Sequence, residues 1–208
     1  ADGDMDVLSA SPNDNKIAWY ENDGSGSFTT HEISTSVNGA ISVYAADIDG
    51  DGDMDVLSAA FMNNTIAWYE NDGSENFTEH AVSTSVNGAH NVHAADVDGD
   101  GDMDVLSASS GDNKIAWYEN DGSESFTEHA IPTSANGAAS VYAADVDGDG
   151  DMDVLSASWS DDKIAWYEND GSESFTEHVI STSADGAYSA YASDLDGDGD
   201  MDVLSACI

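Results

Sequence analysis

The sequence predicts an all-β chain, a β-propeller of four-stranded blades on a 49-residue repeat. Three observations carry that prediction. Met5, Met54, Met103, Met152 and Met201 stand 49 residues apart, within stretches that are nearly identical. Each period holds four short runs of strand-forming residues separated by turn signals. Helix signals are absent. Four strands in a period of about 40–50 residues is the size of one blade.

Within one period the elements follow in order. The first run, 42–47, is small and apolar, with Ala45 and Ala46, as a crowded hub requires. An acidic loop follows, then a second strand at 55–59 and a short variable loop. The third strand, 65–71, carries Ile66 and Trp68 on one face and Ala67 and Tyr69 on the other. Both faces are apolar because a blade packs between two neighbours. Asp72-Gly73 signals a hairpin. The fourth strand, 76–84, is mixed, and charge on an outermost strand discourages edge-to-edge pairing. Asn87-Gly88 then turns the chain into the next repeat. The 1–208 domain divides into a partial blade at 1–37, blades at 38–86, 87–135 and 136–184, and a partial blade at 185–208.

The acidic loop carries the clearest chemistry. In AADIDGDGDMDVLSA, residues 45–59, aspartates alternate with other residues, and the stretch returns three times. So many like charges in nine residues repel one another, and a bound cation relieves that repulsion. Carboxylates at loop positions 1, 3, 5 and 9 with a carbonyl at 7 suit calcium. The candidate ligand sets are Asp47, Asp49, Asp51, Asp53 and Asp55; Asp96, Asp98, Asp100, Asp102 and Asp104; Asp145, Asp147, Asp149, Asp151 and Asp153; and Asp194, Asp196, Asp198, Asp200 and Asp202. The third carboxylate of the first set is Asp51, and Asp53 gives its carbonyl. This predicts four calcium ions per chain. Asp2, Asp4 and Asp6 form only half a set. A merely solvated acidic turn is the bland alternative, and fourfold repetition at fixed spacing argues against it. An EF-hand needs a bidentate Glu at loop position 12 and flanking helices; position 12 here is Ser58.

Composition excludes other classes. Of 208 residues, 43 are acidic and three, all lysines, are basic, a formal charge of −40. Such a surface repels phosphate backbones, so neither nucleic acid nor an anionic membrane is an expected partner. No apolar run is long enough to span a bilayer, so no membrane insertion is expected. A single cysteine, Cys207, rules out an intrachain disulfide. Calcium sites of modest affinity fill reliably outside the cell, which points to a secreted or cell-surface location. The chain starts within a repeat and shows no signal peptide, as expected of a mature or trimmed fragment.

With strand, acidic loop and strand in place, the DIDGDGDMD segments resemble the FG-GAP or VCBS repeat of integrin-type and bacterial surface propellers, over the whole chain. The resemblance implies a propeller fold and calcium. It extends to propeller lectins of the Psathyrella velutina type and to modules of secreted polysaccharide enzymes. Short uniform repeats set this chain apart from integrins. Its blades are fewer than the seven or eight usual for the family. The partial blades at its two ends are complementary, so a homodimer closing a ring of about eight blades is expected, with a four-bladed monomer as the alternative.

Differences between repeats mark candidate ligand contacts. After the second strand, Pro12, Phe61, Ser110 and Trp159 correspond, as do Asn13, Met62, Gly111 and Ser160; before the first strand, Ile41, His90, Ala139 and Tyr188 correspond. Both positions lie on the face opposite the acidic loops. Phe61, Met62, His90, Trp159 and Tyr188 are therefore candidate ligand residues, against the alternative of drift at tolerant loop tips. A second class of site would use recurring residues: Trp19, Trp68, Trp117 and Trp166 with His31, His80, His129 and His178. No Ser-His-Asp set, HExxH or phosphate-binding glycine loop occurs, so no catalytic activity is expected. The expected function is a calcium-stabilised, lectin-like recognition module for a glycan or cell-surface ligand. An adhesion or spacer propeller, or a non-catalytic module of a polysaccharide-degrading enzyme, stands as the alternative.

Overall fold

The computed structural model describes residues 3–208. The chain is all-β and its strands form five antiparallel sheets. The first holds β1 (Val7–Ser11), β2 (Lys16–Asn22) and β3 (Phe28–Ser34). The second holds β4 (Ala40–Ala46), β5 (Asp55–Ala60), β6 (Thr65–Asn71) and β7 (Phe77–Ser83). The third is β8 (Ala89–Ala95), β9 (Asp104–Ser109), β10 (Lys114–Asn120) and β11 (Phe126–Ile131). The fourth is β12 (Ala138–Ala144), β13 (Asp153–Ser158), β14 (Lys163–Asn169) and β15 (Phe175–Ser181). The last pairs β16 (Ala187–Ser193) with β17 (Asp202–Cys207). Strand order within each sheet follows the chain, as in propeller blades.

Packing explains why both faces of each sheet are apolar. Each of the four hydrophobic clusters lies between two successive sheets. One joins Leu57, Ile66 and Trp68 to Val105, Ala116 and Tyr118; the next joins Leu106, Ile115 and Trp117 to Val154, Ala165 and Tyr167. Trp68 and Trp117 are about as buried as a side chain can be. The inner strands β4, β8, β12 and β16 stand side by side. Their equivalent aromatic residues form a ladder: Tyr44 to His93 at 4.4 Å, His93 to Tyr142 at 4.7 Å and Tyr142 to Tyr191 at 4.6 Å between ring centroids. Burial in this ladder pushes the His93 imidazole down to about 4, so it is neutral at ordinary pH.

The inner strands are irregular at one end and cross-linked at the hub. Each contains a bulge against its neighbour: Ala40 faces Ala60 and Ser42 faces Ala59, which leaves Ile41 unpaired, and His90, Ala139 and Tyr188 are extra in the same way. A bulge re-aims the side chain of the extra residue. Hydrogen bonds also cross from blade to blade at the hub. Ser42 Oγ accepts from Asn91 Nδ2 at 3.0 Å, and Asn91 Oδ1 accepts the Val141 amide at 2.9 Å.

The turn before each third strand holds the next blade in register. Asn15, Asn64, Asn113 and Asp162 adopt left-handed backbone, with φ of 59°, 56°, 57° and 55°. Asn and Asp tolerate this region better than other non-glycine residues. Their side-chain oxygens then accept the amide of the glycine that opens the following blade, as Asn113 Oδ1 does from Gly137 N at 2.8 Å. Asn113→Ala removes the acceptor and penalises the conformation, and should cost about 2 kcal/mol. Asn113→Gly keeps the conformation and loses only the acceptor, so it should cost about half as much. Denaturant unfolding of the two variants beside the parent checks the order.

Candidate cation and ligand sites

Each acidic loop runs between an inner strand and the second strand of its blade. In all four, the first, second and last aspartates bring carboxylate oxygens within 4.8 Å of one another: Asp47, Asp49 and Asp55; Asp96, Asp98 and Asp104; Asp145, Asp147 and Asp153; Asp194, Asp196 and Asp202. The last aspartate is the anchor. Asp55 is fully buried; its Oδ2 accepts the Ile48 amide at 2.9 Å and its Oδ1 the Asn71 amide at 2.8 Å. It thereby ties the loop to the end of β6. Asp104 and Asp153 repeat both bonds.

The middle aspartates behave differently. Asp49 Oδ1 accepts the Asp51 amide, and Asp51 Oδ1 accepts the Asp53 amide at 2.8 Å, which curls the loop tightly. Asp53 turns its carboxylate toward the hairpin glycine Gly73, where a Cβ would stand 2.5 Å from Oδ2. Asp51 and Asp53 therefore stand outside the three-carboxylate group, as do Asp100, Asp102, Asp149, Asp151, Asp198 and Asp200. At the first repeat, Asp6 Oδ1 accepts the Asn22 amide as Asp55 does for Asn71; Asp2 lies outside the described residues.

The donor set fits a hard divalent cation. Asp47 Oδ2 accepts the Gly52 amide, while Asp47 Oδ1 is buried with no hydrogen-bond partner. A buried carboxylate oxygen without a donor is costly unless a cation faces it. Burial also pushes Asp55 up to about 6 and Asp104 up to about 7, against the pull of their backbone amides. No lysine or arginine is placed to balance these charges, since Lys16, Lys114 and Lys163 pair with Glu32, Glu128 and Glu177 on outer strands.

The opposite face carries a concavity of about 530 Å³ lined by Ile41, Phe61, His90, Trp159, Gly186, Tyr188 and Ile208. Two columns of the repeat build it. Ile41, His90 and Tyr188 are the bulged residues of inner strands. Phe61 and Trp159 begin loops and Ile208 stands at the same register; their amides donate to the carbonyls of Gly39, Gly137 and Gly186. Each such glycine has positive φ, and a Cβ on Gly137 would stand 2.7 Å from Trp159 Nε1, so the indole rests directly on the backbone. The small members of the columns, Ser110 and Ala139, leave the room.

His90 is the centre of this pocket. Its ring meets Trp159 edge-on at 4.9 Å and Tyr188 edge-on at 5.1 Å, with Phe61 at 6.4 Å. Trp159 and Tyr188 are nearly parallel, 5.9 Å apart. A carbonyl only accepts, so His90 Nδ1–H donates to Ala139 O at 2.8 Å; Nε2 then accepts from Tyr188 Oη at 3.3 Å. Burial lowers the His90 pKa, which keeps this neutral form. The side chains that line the pocket thus carry no charge, on a strongly acidic protein.

Sequence reasoning singles out Phe61, His90, Trp159 and Tyr188, and they line one pocket. Met62 does not; it lies 68% exposed over Gly39. Ile208 escapes the comparison of repeats, although it stands one period after Trp159. Of the recurring aromatic residues, Trp19 and Trp166 are half-buried, Trp19 lining a second concavity, and the middle two offer no open platform. Trp68 and Trp117 are buried, and His80 and His129 stack on them at 4.7 and 4.5 Å while meeting Glu70 and Glu119.

Comparison with known proteins fits this geometry. The FG-GAP-like repeat family matches residues 1–58, 50–107, 96–156 and 146–205. No curated protein matches the chain. Among solved structures, it is similar to an Agrocybe aegerita lectin described as specifically recognising non-reducing terminal N-acetylglucosamine, with a TM-score of 0.63 and 17% identity over 97% of this chain and 60% of that one. It is also similar to a functionally unknown protein from Desulfotomaculum acetoxidans, with a TM-score of 0.66 and 14% identity over 96% of this chain and 59% of that one. A chain of a nidogen/laminin complex gives 0.58 and 10% identity over 85% and 60%. At these identities the likeness is one of fold, and this chain spans about 60% of each of those proteins.

The buried aspartates make a prediction for chelated protein. Asp104 holds its proton to about 7 in the fold and to about 3.8 when unfolded. The fold therefore binds more protons between those values, and this group's contribution to stability falls as pH rises from about 4 to 7. His93 opposes this over part of the range. With chelator present, Asp104→Asn should show a flatter pH dependence of melting than the parent, at a lower melting temperature because one amide loses its acceptor. Melting curves across pH check it.

Proposed function

This chain belongs to the FG-GAP-like repeat family, and from that premise we propose that it is a calcium-stabilised, non-enzymatic recognition module binding a glycan. Calcium is the cation we assign to the four acidic loops: oxygen donors alone, several carboxylates and main-chain-rich tight loops suit it better than softer-ligand metals. When bound, it would neutralise the loop carboxylates and hold the inner and second strands of each blade together. Asp47, Asp49 and Asp55 and their equivalents would hold it, with Asp51 and the Asp53 carbonyl completing the set proposed for each loop. The location that goes with such sites is secreted or cell-surface.

One observation carries the ligand reading. Four residues that break the repeat, Phe61, His90, Trp159 and Tyr188, gather in one aromatic pocket with uncharged side chains on one face. Its volume of about 530 Å³ suits a mono- or disaccharide. The chemistry is that of sugar recognition: flat apolar surfaces of Trp159 and Tyr188 for the C–H face of a pyranose, with the Tyr188 hydroxyl beside them for a ring hydroxyl. Both His90 nitrogens are already engaged, so the imidazole orients Tyr188 and is not available as a base. The lectin among the structural neighbours supports this reading, and the nidogen/laminin complex supports a protein ligand as the second one. The partner we assign to the chain itself is a second copy, closing a ring of about eight blades.

Two measurements test the proposal. Calorimetric titration of chelated protein should count four calcium ions per chain; two or fewer would overturn the calcium assignment. A glycan array with and without calcium should give sugar hits that Trp159→Ala weakens more than tenfold, about 1.4 kcal/mol or more. No sugar hits, with a protein captured through the same face, would favour the adhesion reading.

A further inference from the structure

The repeat is broken in a second way beside the aromatic pocket. At the left-handed turn before the third strand the chain has Asn15, Asn64 and Asn113, but Asp162 in the fourth period. At the residue before the glycine that opens each following blade it has Asn38, Asn87 and Asn136, but Asp185. Each exchange replaces a neutral amide by a carboxylate of nearly the same shape, and both fall at one blade junction. The backbone needs neither charge. Asp162 Oδ1 accepts the Gly186 amide at 3.0 Å, and Asn113 Oδ1 accepts that of Gly137 at 2.8 Å.

Gly186 lines the pocket. Asp162 is thus one hydrogen bond from the pocket wall, and Asp185 is one peptide bond from it. A third carboxylate is fixed on the loop that carries Trp159. Asp161 accepts from Ser158 Oγ at 2.6 Å and from the Asn136 amide at 3.2 Å. Lysine does not offset these groups. Lys163 follows them in sequence, but it pairs with Glu177 and donates to Ser134 Oγ, while Lys16 and Lys114 pair with Glu32 and Glu128. The wall itself offers the aromatic rings of Trp159, Tyr188 and Phe61. The face of such a ring carries negative potential and attracts a cation, indole most strongly. A concave apolar surface also focuses the field of the charges around it, and here the whole chain carries a formal charge of −40.

We infer that the pocket selects a glycan whose terminal residue carries a protonated amine, an amino sugar without an N-acyl group. The pyranose lies on Trp159 and Tyr188, and the ammonium is directed toward the side held by Asp162 and Asp185. A neutral sugar meets the same platform and gains nothing from the carboxylates. Uronates and sulfated sugars are repelled by the field that attracts the amine.

This inference deepens the glycan reading and rests on it, and the experiment separates the two. The probes are a glucosamine disaccharide and its di-N-acetylated counterpart, titrated calorimetrically at constant calcium and pH about 6, where an aliphatic amine is protonated. The amine should bind about tenfold more tightly at low salt, and added salt should shrink that ratio. Asp162→Asn combined with Asp185→Asn restores the residues of the other three periods, so the double variant should fold as the parent does, with its melting temperature as the check. It should abolish most of the preference for the amine. A parent that binds the two disaccharides alike, or the N-acetylated one more tightly, would overturn the inference and leave the glycan reading standing. A preference that the double variant keeps in full would mark attraction by the acidic surface as a whole and would overturn the assignment to this pocket. Binding of neither disaccharide, with a lysine-rich peptide bound instead and lost in Trp159→Ala, would overturn both readings.

Discussion

The structure depends on burying one carboxylate per blade at the root of its acidic loop. Asp55, Asp104 and Asp153 each accept two main-chain amides, one from the loop they close and one from the end of the third strand. Three segments of the blade are thereby fixed to a single side chain. The arrangement is expensive, because it removes a charge from water with no basic partner beside it. Two further carboxylates in each loop lie within 4.8 Å of it. Repeated around the hub, this unit sets where every inner strand ends and every second strand begins.

On the other face, the repeat is used in the opposite way. There the backbone of each blade is nearly the same, and the bulge of the inner strand and the tip of the following loop offer two positions per blade whose side chains are free to differ. Large residues at some of these positions and small ones at others shape a pocket without altering any strand. One end of the blade supplies stability through sameness and the other supplies a surface through difference. This division lets a recognition surface change while the frame is untouched.

Much of this is legible in the sequence. The period defines the blade, alternating apolar residues locate the strands to within two residues, and DIDGDGDMD locates the cation loops. Comparing columns between repeats finds four residues of the pocket from the sequence alone. What cannot be read is direction. Spacing alone does not distinguish Asp51, outside the carboxylate group, from Asp49, inside it; that depends on which main-chain amide each oxygen meets in the folded turn. Nor does a column show that its residue is a bulge, since a bulge is defined against the partner strand. The recurring tryptophans illustrate the same limit. Aromatic residues on a strand suit a core and a sugar platform equally, and the histidine stacked over each indole decides for the core.

The hydrogen bonds of Asn91 bear on how such a chain finds its own order. With β5, β9 and β13 carrying nearly the same residues, exchanging one blade for another preserves almost every local contact. A landscape of that kind is degenerate, and misassembly between like units is its characteristic failure. Only contacts made by unlike residues distinguish one sequence of blades from another. Strand β8 departs from its siblings at His90, Asn91 and His93, and Asn91 grips Ser42 on one side and the Val141 amide on the other. That strand acts as an address. It marks the third sheet as the one that belongs between the second and the fourth, and it does so at the hub, where all the blades must be sorted together.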